Sequence, residues 1–567
     1  MSPKKDRPWI SSYDPGVRPD VEIPDISYTS FLIEGMRSNP DRIALNYLGK
    51  QITFRELDNL SAQFAAFLTA NDCSQGDVVG INLPNIPQYL IALVGALRAG
   101  CSVTGISPLL TPKEYAYQLN DCGAKVLVIM DVLFEQRVMS ILNDLPALKH
   151  ISVANVGDFL PWIKRFLGRL LKKIPTANIG QGHPQQVTHF NDILSSYMTI
   201  PWKDISISPE STCLIQYTGG TTGVPKGTVL THRNLVSNIT QSREWIDFLP
   251  GEDSVCSGFP YFHLAGLTLG MLAICTSNTQ SLIPDPRNTT HICNEIIKYK
   301  PTCLANVPTL YHMLMENPLF KTIDFSSIKY CISGAAPFSV EGINDLESYV
   351  GKGKVLEVYG MTETSPLMTM NPAKGKKKPG TVGVPISNTF IKIVDVATGE
   401  NEMPLGEEGE LIVQGPQVMK EYFLKPKETA HTLRTFQNGI WLYTGDVAKM
   451  DEEGYITIVD RVKDMINVGG FKVFSREVEE TLYEHPAIEF CAIIGIPNKD
   501  RPGSELVKAV IQISKDHSNQ STDALKEDIL LYCKKNMAAY KVPKFIEFVD
   551  AIPLTAVGKV DKKSLRK

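Results

Sequence analysis

The sequence predicts an α/β fold, with a large N-terminal domain of several subdomains with helix-covered sheets and a small α+β domain after it. The chain has 567 residues, more than one hydrophobic core usually holds, so several domains are expected. Between residues 53 and 129, short apolar runs alternate with helical patterns, which is typical of a parallel sheet covered by helices. The pattern changes near residue 460, where we place a domain boundary.

The alternating segment begins with a complete helix signal. Thr53 and Glu56 have the spacing of a capping box, and Leu57 and Phe64 follow at helical spacing. The next predicted elements, in chain order, are a strand at 78–83, a helix at 89–97, a strand at 103–106, a helix capped by Thr111 and a strand at 125–129.

Beyond residue 460 the predicted elements describe a compact α+β unit of about 100 residues. They are a helix from Ser475, strands at 491–496 and 506–513, and a helix from Thr522. We therefore predict two domains, residues 1–460 and residues 461–567.

Composition narrows the classes of function. Hydrophobic residues make up 43% of the chain and charged residues 21%, which is typical of soluble globular proteins. The net charge of −4 gives no global electrostatic reason to expect a nucleic-acid partner. The eleven cysteines are scattered singly, as expected for reduced thiols. Because no signal peptide or spanning segment of about 18 apolar residues is apparent, we expect a cytoplasmic location.

Residues 159–173 interrupt the α/β rhythm with a basic amphipathic pattern. Large apolar side chains recur at near-helical spacing, and lysines and arginines are interleaved with them. Such a helix suits the anionic, cytoplasmic face of a membrane as a peripheral contact. It equally suits an ordinary surface helix whose apolar stripe packs on the protein, and the sequence leaves both open.

Residues 217–227 form the densest functional signal. This segment contains four glycines, four hydroxyl side chains and the lysine Lys226, between two β-like runs. Glycines let backbone N–H groups approach an anion, and an ammonium adds a charge suited to phosphate. The segment is not the mononucleotide P-loop, because Lys226 lies between a proline and a glycine. We predict a strand–loop–strand element that binds phosphate; a solvated hairpin loop is the structural alternative.

Other short segments are individually ambiguous. The small residues at 333–337 and the Tyr359 to Glu363 segment each follow a strand-like run and suit a planar ligand and a cation, or simple packing. Asp446 is predicted at a turn, either as a ribose-binding acid or as a turn cap. His263 is a lone histidine, and such residues are more often structural.

In this order, the segments resemble those of the adenylate-forming superfamily of acyl-CoA synthetases, luciferases and peptide-synthetase adenylation domains. The closest resemblance is to long-chain fatty acyl-CoA synthetases, and it covers nearly the whole chain. Its most specific motifs are 217–227, 359–363, 443–446, 460–464 and Gly558-Lys559. The resemblance implies that ATP and a medium- to long-chain fatty acid give acyl-adenylate and pyrophosphate. It also implies that the small domain is mobile and then rotates, so that coenzyme A takes the acyl group and AMP is released.

The resemblance also assigns roles to individual residues. Lys559 would reach the α-phosphate, Lys463 would be the hinge, His263 would line the acyl end, and Glu363 with Thr218 would hold Mg²⁺. The phosphates would be bound by Thr218, Gly219, Gly220, Thr221, Thr222, Gly223 and Lys226, and adenine would be framed by Gly334, Ala335, Ala336, Tyr359 and Gly360. Asp446 and Arg461 would bind the ribose, and Gly469 and Gly470 would lie along the pantetheine. Met361 and Thr362 would also belong to the cofactor-binding residues.

Two other functions stay open at this point. One is a ligase that passes its acyl group to a carrier protein, although such relatives carry an extra insertion that is not seen between residues 447 and 475. The other is a membrane-docked fatty-acid binding or uptake component without turnover. The sequence does not distinguish a monomer from a homodimer. Ser475 departs from the family pattern, because many relatives have proline there.

Overall fold

In the computed structural model the described residues are 7–172, 174–218, 224–462, 464–469, 471–499, 501, 504–517, 520–554 and 560–566. The chain divides into two compact units. The larger unit contains Ile10–Phe390 and Gln414–Leu433, and the smaller contains Met1–Trp9, Ile391–Val413 and Arg434–Lys567. The predicted domain boundary after residue 460 stays a prediction.

The strands are numbered in chain order. They are β1 Ile43–Tyr47, β2 Lys50–Thr53, β3 Val78–Asn82, β4 Ser102–Gly105, β5 Ala124–Met130, β6 His150–Ala154, β7 Gln186–His189, β8 Thr212–Thr218, β9 Lys226–Thr231, β10 Ser254–Ser257, β11 Thr279–Leu282, β12 Cys303–Asn306, β13 Tyr330–Ser333, β14 Val355–Gly360, β15 Leu367–Met370, β16 Val384–Pro385, β17 Phe390–Val394, β18 Gly409–Gln414, β19 Glu421–Tyr422, β20 Leu433–Phe436, β21 Gly439–Met450, β22 Ile456–Arg461, β23 Ile466–Val468, β24 Phe471–Val473, β25 Ile488–Pro497, β26 Glu505–Ile513 and β27 Phe545–Val549.

The α-helices are named by their bounds. They are Tyr28–Ser38, Phe54–Ala70, Pro87–Arg98, Pro112–Asp121, Asp131–Leu133, Trp162–Leu170, Phe190–Ser196, His232–Trp245, Leu264–Cys275, Thr289–Tyr299, Pro308–Glu316, Val340–Val350, Pro426–Thr432, Ser475–Tyr483, Thr522–Asn536 and Lys562–Leu565. Short 3-10 or π turns cover Pro8–Ser12, Phe134–Val138, Met139–Asp144, Phe320–Thr322, Thr362–Thr364 and Lys515–His517.

The predicted helix-covered parallel sheet is confirmed in the larger unit. Its strand order is β19-β9-β8-β4-β3-β5-β6-β7. Across the sheet, each pair of neighbours in the series β8-β4-β3-β5-β6-β7 is parallel. The capping boxes predicted at Thr53 and Thr111 are both formed. At one edge the direction changes, because β9 pairs antiparallel with both β8 and β19. The strands β8 and β9 flank the glycine-rich segment in the sequence.

A second sheet of the larger unit has the order β16-β15-β14-β13-β12-β10-β11-β1-β2. Its strands β10 to β14 pair in parallel, so neighbouring strands end at the same edge. The core beside it is apolar and includes Leu304, Tyr311, Phe320 and Leu346, all fully buried. The parallel order therefore brings the turns that follow β13 and β14 together.

The smaller unit contains the α+β elements predicted beyond residue 460. A sheet of β25-β26-β27 packs with the helices Ser475–Tyr483 and Thr522–Asn536 around Ile493 and Ile529. A second sheet, β17-β18-β21-β20 with β22 beside β21, belongs to the same unit. Ser475 begins the helix Ser475–Tyr483, and its backbone N–H donates to Asp460. A proline at this position would have no N–H to form that bond.

The basic segment folds as the helix Trp162–Leu170, and its apolar stripe faces outward. Trp162 is 77% exposed, Phe166 61% and Leu170 66%. The opposite side contacts the protein, since Gly168 packs against the buried side chain of Ile174. The interpretation that the apolar stripe packs on the protein is therefore wrong.

Within the part of the chain that the structure describes, no helix has both the length and the apolar character to span a bilayer.

A fully buried arginine joins two helices of the larger unit. The guanidinium of Arg98 is 0% exposed and forms ion pairs with Asp58 and, at 3.2 Å, with Asp204. It also donates to Ser61 Oγ at 2.9 Å. Because a buried arginine is costly to leave unpaired, these partners stabilise the contact between Pro87–Arg98 and Phe54–Ala70.

We expect Arg98→Met to lower the free energy of unfolding of the larger unit by about 2–4 kcal/mol, because two carboxylates lose a buried partner. The partial exposure of both carboxylates keeps the loss from being larger. The shift of the urea midpoint measures this effect. Arg287→Met is the control, since Arg287 is 86% exposed in its pair with Asp285. Equal midpoints for the two variants would contradict a structural role for the Arg98 cluster.

Candidate active site

The two strands predicted to flank the glycine-rich segment are confirmed near the sheet edge. Strands β8 and β9 pair antiparallel, with Thr218 opposite Lys226 and Tyr217 opposite Gly227. The hydroxyl of Tyr217 donates to Asp121 at 2.6 Å, which anchors this strand to the helix Pro112–Asp121. Thr218 and Lys226 therefore face each other where the strands enter the loop. Gly219, Gly220, Thr221, Thr222 and Gly223 lie outside the described residues.

Three side chains connect this edge to the turn that carries the predicted metal ligand. The ammonium of Lys226 lies 5.0 Å from the ring centroid of Tyr422. The hydroxyl of Tyr422 donates to Glu363 Oε1 at 2.7 Å, and both side chains are buried. Burial, followed by the negative charge of Glu363, raises the pKa of Tyr422, so the phenol stays protonated and donates. Lys226 and Glu363 are thus brought into one cluster.

The turn that holds Glu363 is tightly constrained. The 3-10 turn Thr362–Thr364 follows β14, and Ser365 next to it has a left-handed φ of 68°. The backbone N–H of Met361 donates to the carbonyl of Pro366 at 3.0 Å. A Cβ at Gly360 would lie only 1.9 Å from that same carbonyl, so glycine is required there. The predicted positions Met361 and Thr362 lie in this turn, beside Glu363.

The two segments predicted to frame adenine meet at the ends of neighbouring parallel strands. Ser333 at the end of β13 pairs with Glu357 of β14, so the 333–337 segment lies beside Tyr359 and Gly360. Gly334 approaches β14 closely, because a Cβ there would lie 2.7 Å from Val358 Cγ2.

This wall combines a strained turn with a buried, unsatisfied hydroxyl. Ala335 takes a left-handed φ of 65°, and both it and Ala336 are partly exposed. The hydroxyl of Ser333 is buried and has no hydrogen-bond partner among the residues that the structure describes. An unsatisfied buried hydroxyl beside a strained turn is typical of a ligand-binding wall.

His263 lies next to Phe262, whose carbonyl is bonded to β8. It precedes the helix Leu264–Cys275, and its Nδ1 accepts a weak hydrogen bond from the backbone of Ala265 at 3.4 Å. The amide of Gln216 donates to the carbonyl of Phe262 at 2.8 Å, which ties this segment to the strand that carries Thr218. The half-buried imidazole is thus held at a helix start, where it could contact a substrate.

Asp446 and Arg461 form an ion pair in the smaller unit. They are cross-strand partners of β21 and β22, and Arg461 Nε lies 3.0 Å from Asp446 Oδ1. The carboxylate is buried and the guanidinium is exposed. The predicted turn at Asp446 is wrong, because β21 continues to Met450. Gly445, with a φ of 71°, bends the strand instead of ending it.

The remaining predicted residues belong to the smaller unit or lie outside the description. Gly469 occupies the turn between β23 and β24 with a φ of 62°, and its N–H donates to Ser504 Oγ at 2.8 Å. Lys463, Gly470 and Lys559 lie outside the described residues.

The donor set fits a cation shared with a nucleotide better than an all-protein metal site. Within the described ranges, no group of three or more His, Cys, Asp or Glu side chains could hold a metal ion. Glu363 offers one buried carboxylate, and Thr218 one hydroxyl. Mg²⁺ commonly takes one or two carboxylates and completes its shell with phosphates and water. Glu363 and Thr218 therefore fit Mg²⁺ bound together with ATP.

Sequence reasoning missed Tyr422. It lies 59 residues from Glu363 along the chain, in a two-residue strand with no local pattern. Only the pairing of β19 with β9 places its ring beside Lys226. A local motif search has no signal for such a contact.

Comparison with known proteins identifies relatives over the whole chain. The sequence profile of the family "AMP-binding enzyme" matches residues 33–423, and that of the "AMP-binding enzyme C-terminal domain" matches residues 477–559. The long-chain-fatty-acid–CoA ligase of Bacillus subtilis (strain 168) is 38% identical over 99% of this chain and 97% of its own length. The ligase of the same name from Escherichia coli O6:H1 is 35% identical over 98% and 97%.

Solved structures give the same relationship. The anthranilate CoA ligase AuaEII, in complex with anthranoyl-AMP, superposes with a TM-score of 0.80 at 27% identity, covering 96% of this chain and 97% of its own. ATP-bound MatB from Rhodopseudomonas palustris gives 0.78 at 26% identity, covering 95% and 98%. The two profiles and these full-length matches agree, and the chain belongs to the AMP-binding enzyme family.

Proposed function

We propose that this protein is an ATP-dependent ligase that joins a medium- to long-chain fatty acid to coenzyme A. The acid is first activated as acyl-adenylate with release of pyrophosphate, and its acyl group then passes to the thiol with release of AMP. The observation that carries the proposal is the cluster of Lys226, Tyr422 and Glu363 beside the glycine-rich segment. The names of the full-length relatives supply the class of acid.

The first half-reaction brings a carboxylate to a triphosphate, so its barrier is largely electrostatic. Thr218 and Lys226 would hold the β- and γ-phosphates, and Glu363 would hold Mg²⁺, which when bound would neutralise phosphate charge. Gly334, with its neighbours Ala335 and Ala336, would frame adenine together with Tyr359 and Gly360. Asp446, oriented by Arg461, would accept hydrogen bonds from the ribose hydroxyls, and His263 would line the acyl end.

The second half-reaction would use the residues of the smaller unit. We place the domain boundary at 460/461, with Lys463 as the pivot and Gly469 and Gly470 along the pantetheine. Lys559 would serve adenylation and then leave, because its ammonium would obstruct attack by the thiol. All eleven cysteines are buried and free, which suits a reducing cytoplasm.

Fatty-acid-dependent exchange of labelled pyrophosphate into ATP tests the first half-reaction. We expect exchange with long-chain acids, and AMP release only when coenzyme A is added. Exchange without coenzyme A-dependent AMP release would favour transfer to a carrier protein. Fatty-acid binding without any exchange would favour a binding or uptake component.

Lys559→Ala should slow adenylation by about 10²-fold or more, the scale seen when one electrostatic group is removed from a reacting centre. Thioester formation from supplied acyl-adenylate should change far less. Both rates are measured in single-turnover experiments. Equal losses in the two half-reactions would contradict a role confined to adenylation.

We further propose that the helix Trp162–Leu170 rests on the anionic cytoplasmic face of a membrane. Its apolar side chains point away from the protein, and Lys164, Arg169 and Lys172 are exposed around them. An amphipathic helix of this kind inserts its apolar face at the headgroup boundary while its basic residues contact anionic lipids. A fatty acid that partitions into the bilayer would then enter close to the enzyme.

Trp162→Ser and Phe166→Ser should each weaken binding to vesicles containing phosphatidylglycerol by about tenfold or more, because one large apolar side chain no longer leaves water. Vesicle co-sedimentation measures the effect. Leu531→Ser is the matched control, since Leu531 is 68% exposed and lies in the smaller unit. Binding that is weak in the unmodified protein, or that all three variants preserve, would contradict membrane docking by this helix.

A further inference from the structure

Tyr422 is attached by its main chain to the strand that carries Lys226. Its strand β19 pairs with β9, and Tyr422 lies opposite Thr228. On one side of it Phe423 N–H donates to the carbonyl of Gly227 at 2.7 Å, and on the other side Lys420 N–H donates to that of Val229 at 3.0 Å. The tyrosine ring therefore has a fixed position relative to the first residues of β9.

The same segment contacts the Glu363 turn at two points. Tyr422 donates its hydroxyl to the Glu363 carboxylate at 2.7 Å, and Met419 donates its N–H to the Glu363 carbonyl at 2.8 Å. One contact fixes the backbone of the turn and the other fixes the direction of the carboxylate. A rotation of the Glu363 side chain would break the buried hydroxyl–carboxylate bond, which is a strong, charge-assisted one.

The ring face of Tyr422 contacts a cation, and its hydroxyl contacts an anion. The Lys226 ammonium lies over the face, where the ring quadrupole attracts a cation, and the anionic Glu363 accepts from the hydroxyl. The two contacts support each other, because a cation over the ring makes the phenol a better donor. Two other buried tyrosines of the same unit bond to main-chain carbonyls instead: Tyr47 donates to the carbonyl of Val156, and Tyr311 to that of Ile332.

We propose that Tyr422 is a positioning residue for the nucleotide site. Its hydroxyl orients the Glu363 carboxylate toward the cation of magnesium–ATP, and its ring holds the Lys226 ammonium toward the phosphates. This inference rests on the proposed function. Two substitutions test the hydroxyl and the ring separately: Tyr422→Phe removes only the hydroxyl, and Tyr422→Leu removes the ring as well.

The test measures ATP binding by calorimetry, with magnesium varied and with fatty acid and coenzyme A absent, so that no turnover occurs. Magnesium should strengthen ATP binding, and the readout is the magnesium concentration at which half of this effect is reached. For Tyr422→Phe we expect that concentration to rise about tenfold, the effect of one lost hydrogen bond to a charged group. ATP binding in EDTA should not change. Tyr422→Leu should weaken binding in EDTA as well, because Lys226 loses its ring. Tyr47→Phe, which loses a buried hydroxyl elsewhere in the unit, should change neither quantity.

A double-mutant cycle covers the case in which Tyr422 is only structural. In a Glu363→Gln background, Tyr422→Phe should produce no further shift in the magnesium requirement, because the hydroxyl acts through that carboxylate. An unchanged requirement in Tyr422→Phe alone, or an equal shift in both backgrounds, would overturn the proposal.

A melting temperature for each variant reports its folding. If the unmodified protein shows no magnesium-dependent ATP binding, the proposed function itself fails; if it binds normally and Tyr422→Phe behaves like it, only the positioning role fails.

Discussion

The antiparallel pairing of β9 with β8 on one side and β19 on the other fixes the geometry of the candidate nucleotide site. These hydrogen bonds set Thr218 opposite Lys226 and place Tyr422 next to both Lys226 and Glu363. Because a shift of one residue would turn every side chain of a strand to the other face, this register is a condition of the site. The rest of the parallel sheet acts as the rigid support for its edge.

The second sheet contributes through the direction of its strands. The parallel strands β13 and β14 end at one edge, so a strained turn at Ala335 and a tight turn around Gly360 lie side by side. Both turns carry local costs: the first has a left-handed Ala335 and an unsatisfied Ser333 hydroxyl, and the second is followed by a left-handed Ser365. The well-packed core beneath, with Tyr311 and Leu346, compensates for these costs. Strain at a strand end over a stable core is the usual distribution in a binding site.

Local signals explain which parts of the structure could be predicted from sequence. The capping boxes at Thr53 and Thr111, the alternation of strands and helices, and the strand–loop–strand at 217–227 all depend on residues close together in the chain. Tyr422 could not be found in this way, because its contacts come from strand pairing over a long separation. The turn predicted at Asp446 does not form, because pairing with β22 keeps the strand continuous through that residue.

The helix Trp162–Leu170 illustrates a different limit of sequence reasoning. Periodicity shows that one face is apolar, but it does not show which face meets the protein, since both orientations have the same pattern. Two contacts on the other face determine its orientation: Gly168 packs against the side chain of Ile174, and Arg165 lies 3.8 Å from Asp158. Turning the helix over would bury its apolar face but would remove both contacts. An outward row of large apolar side chains is unfavourable in water, and this cost is the physical reason for proposing a lipid surface as its environment.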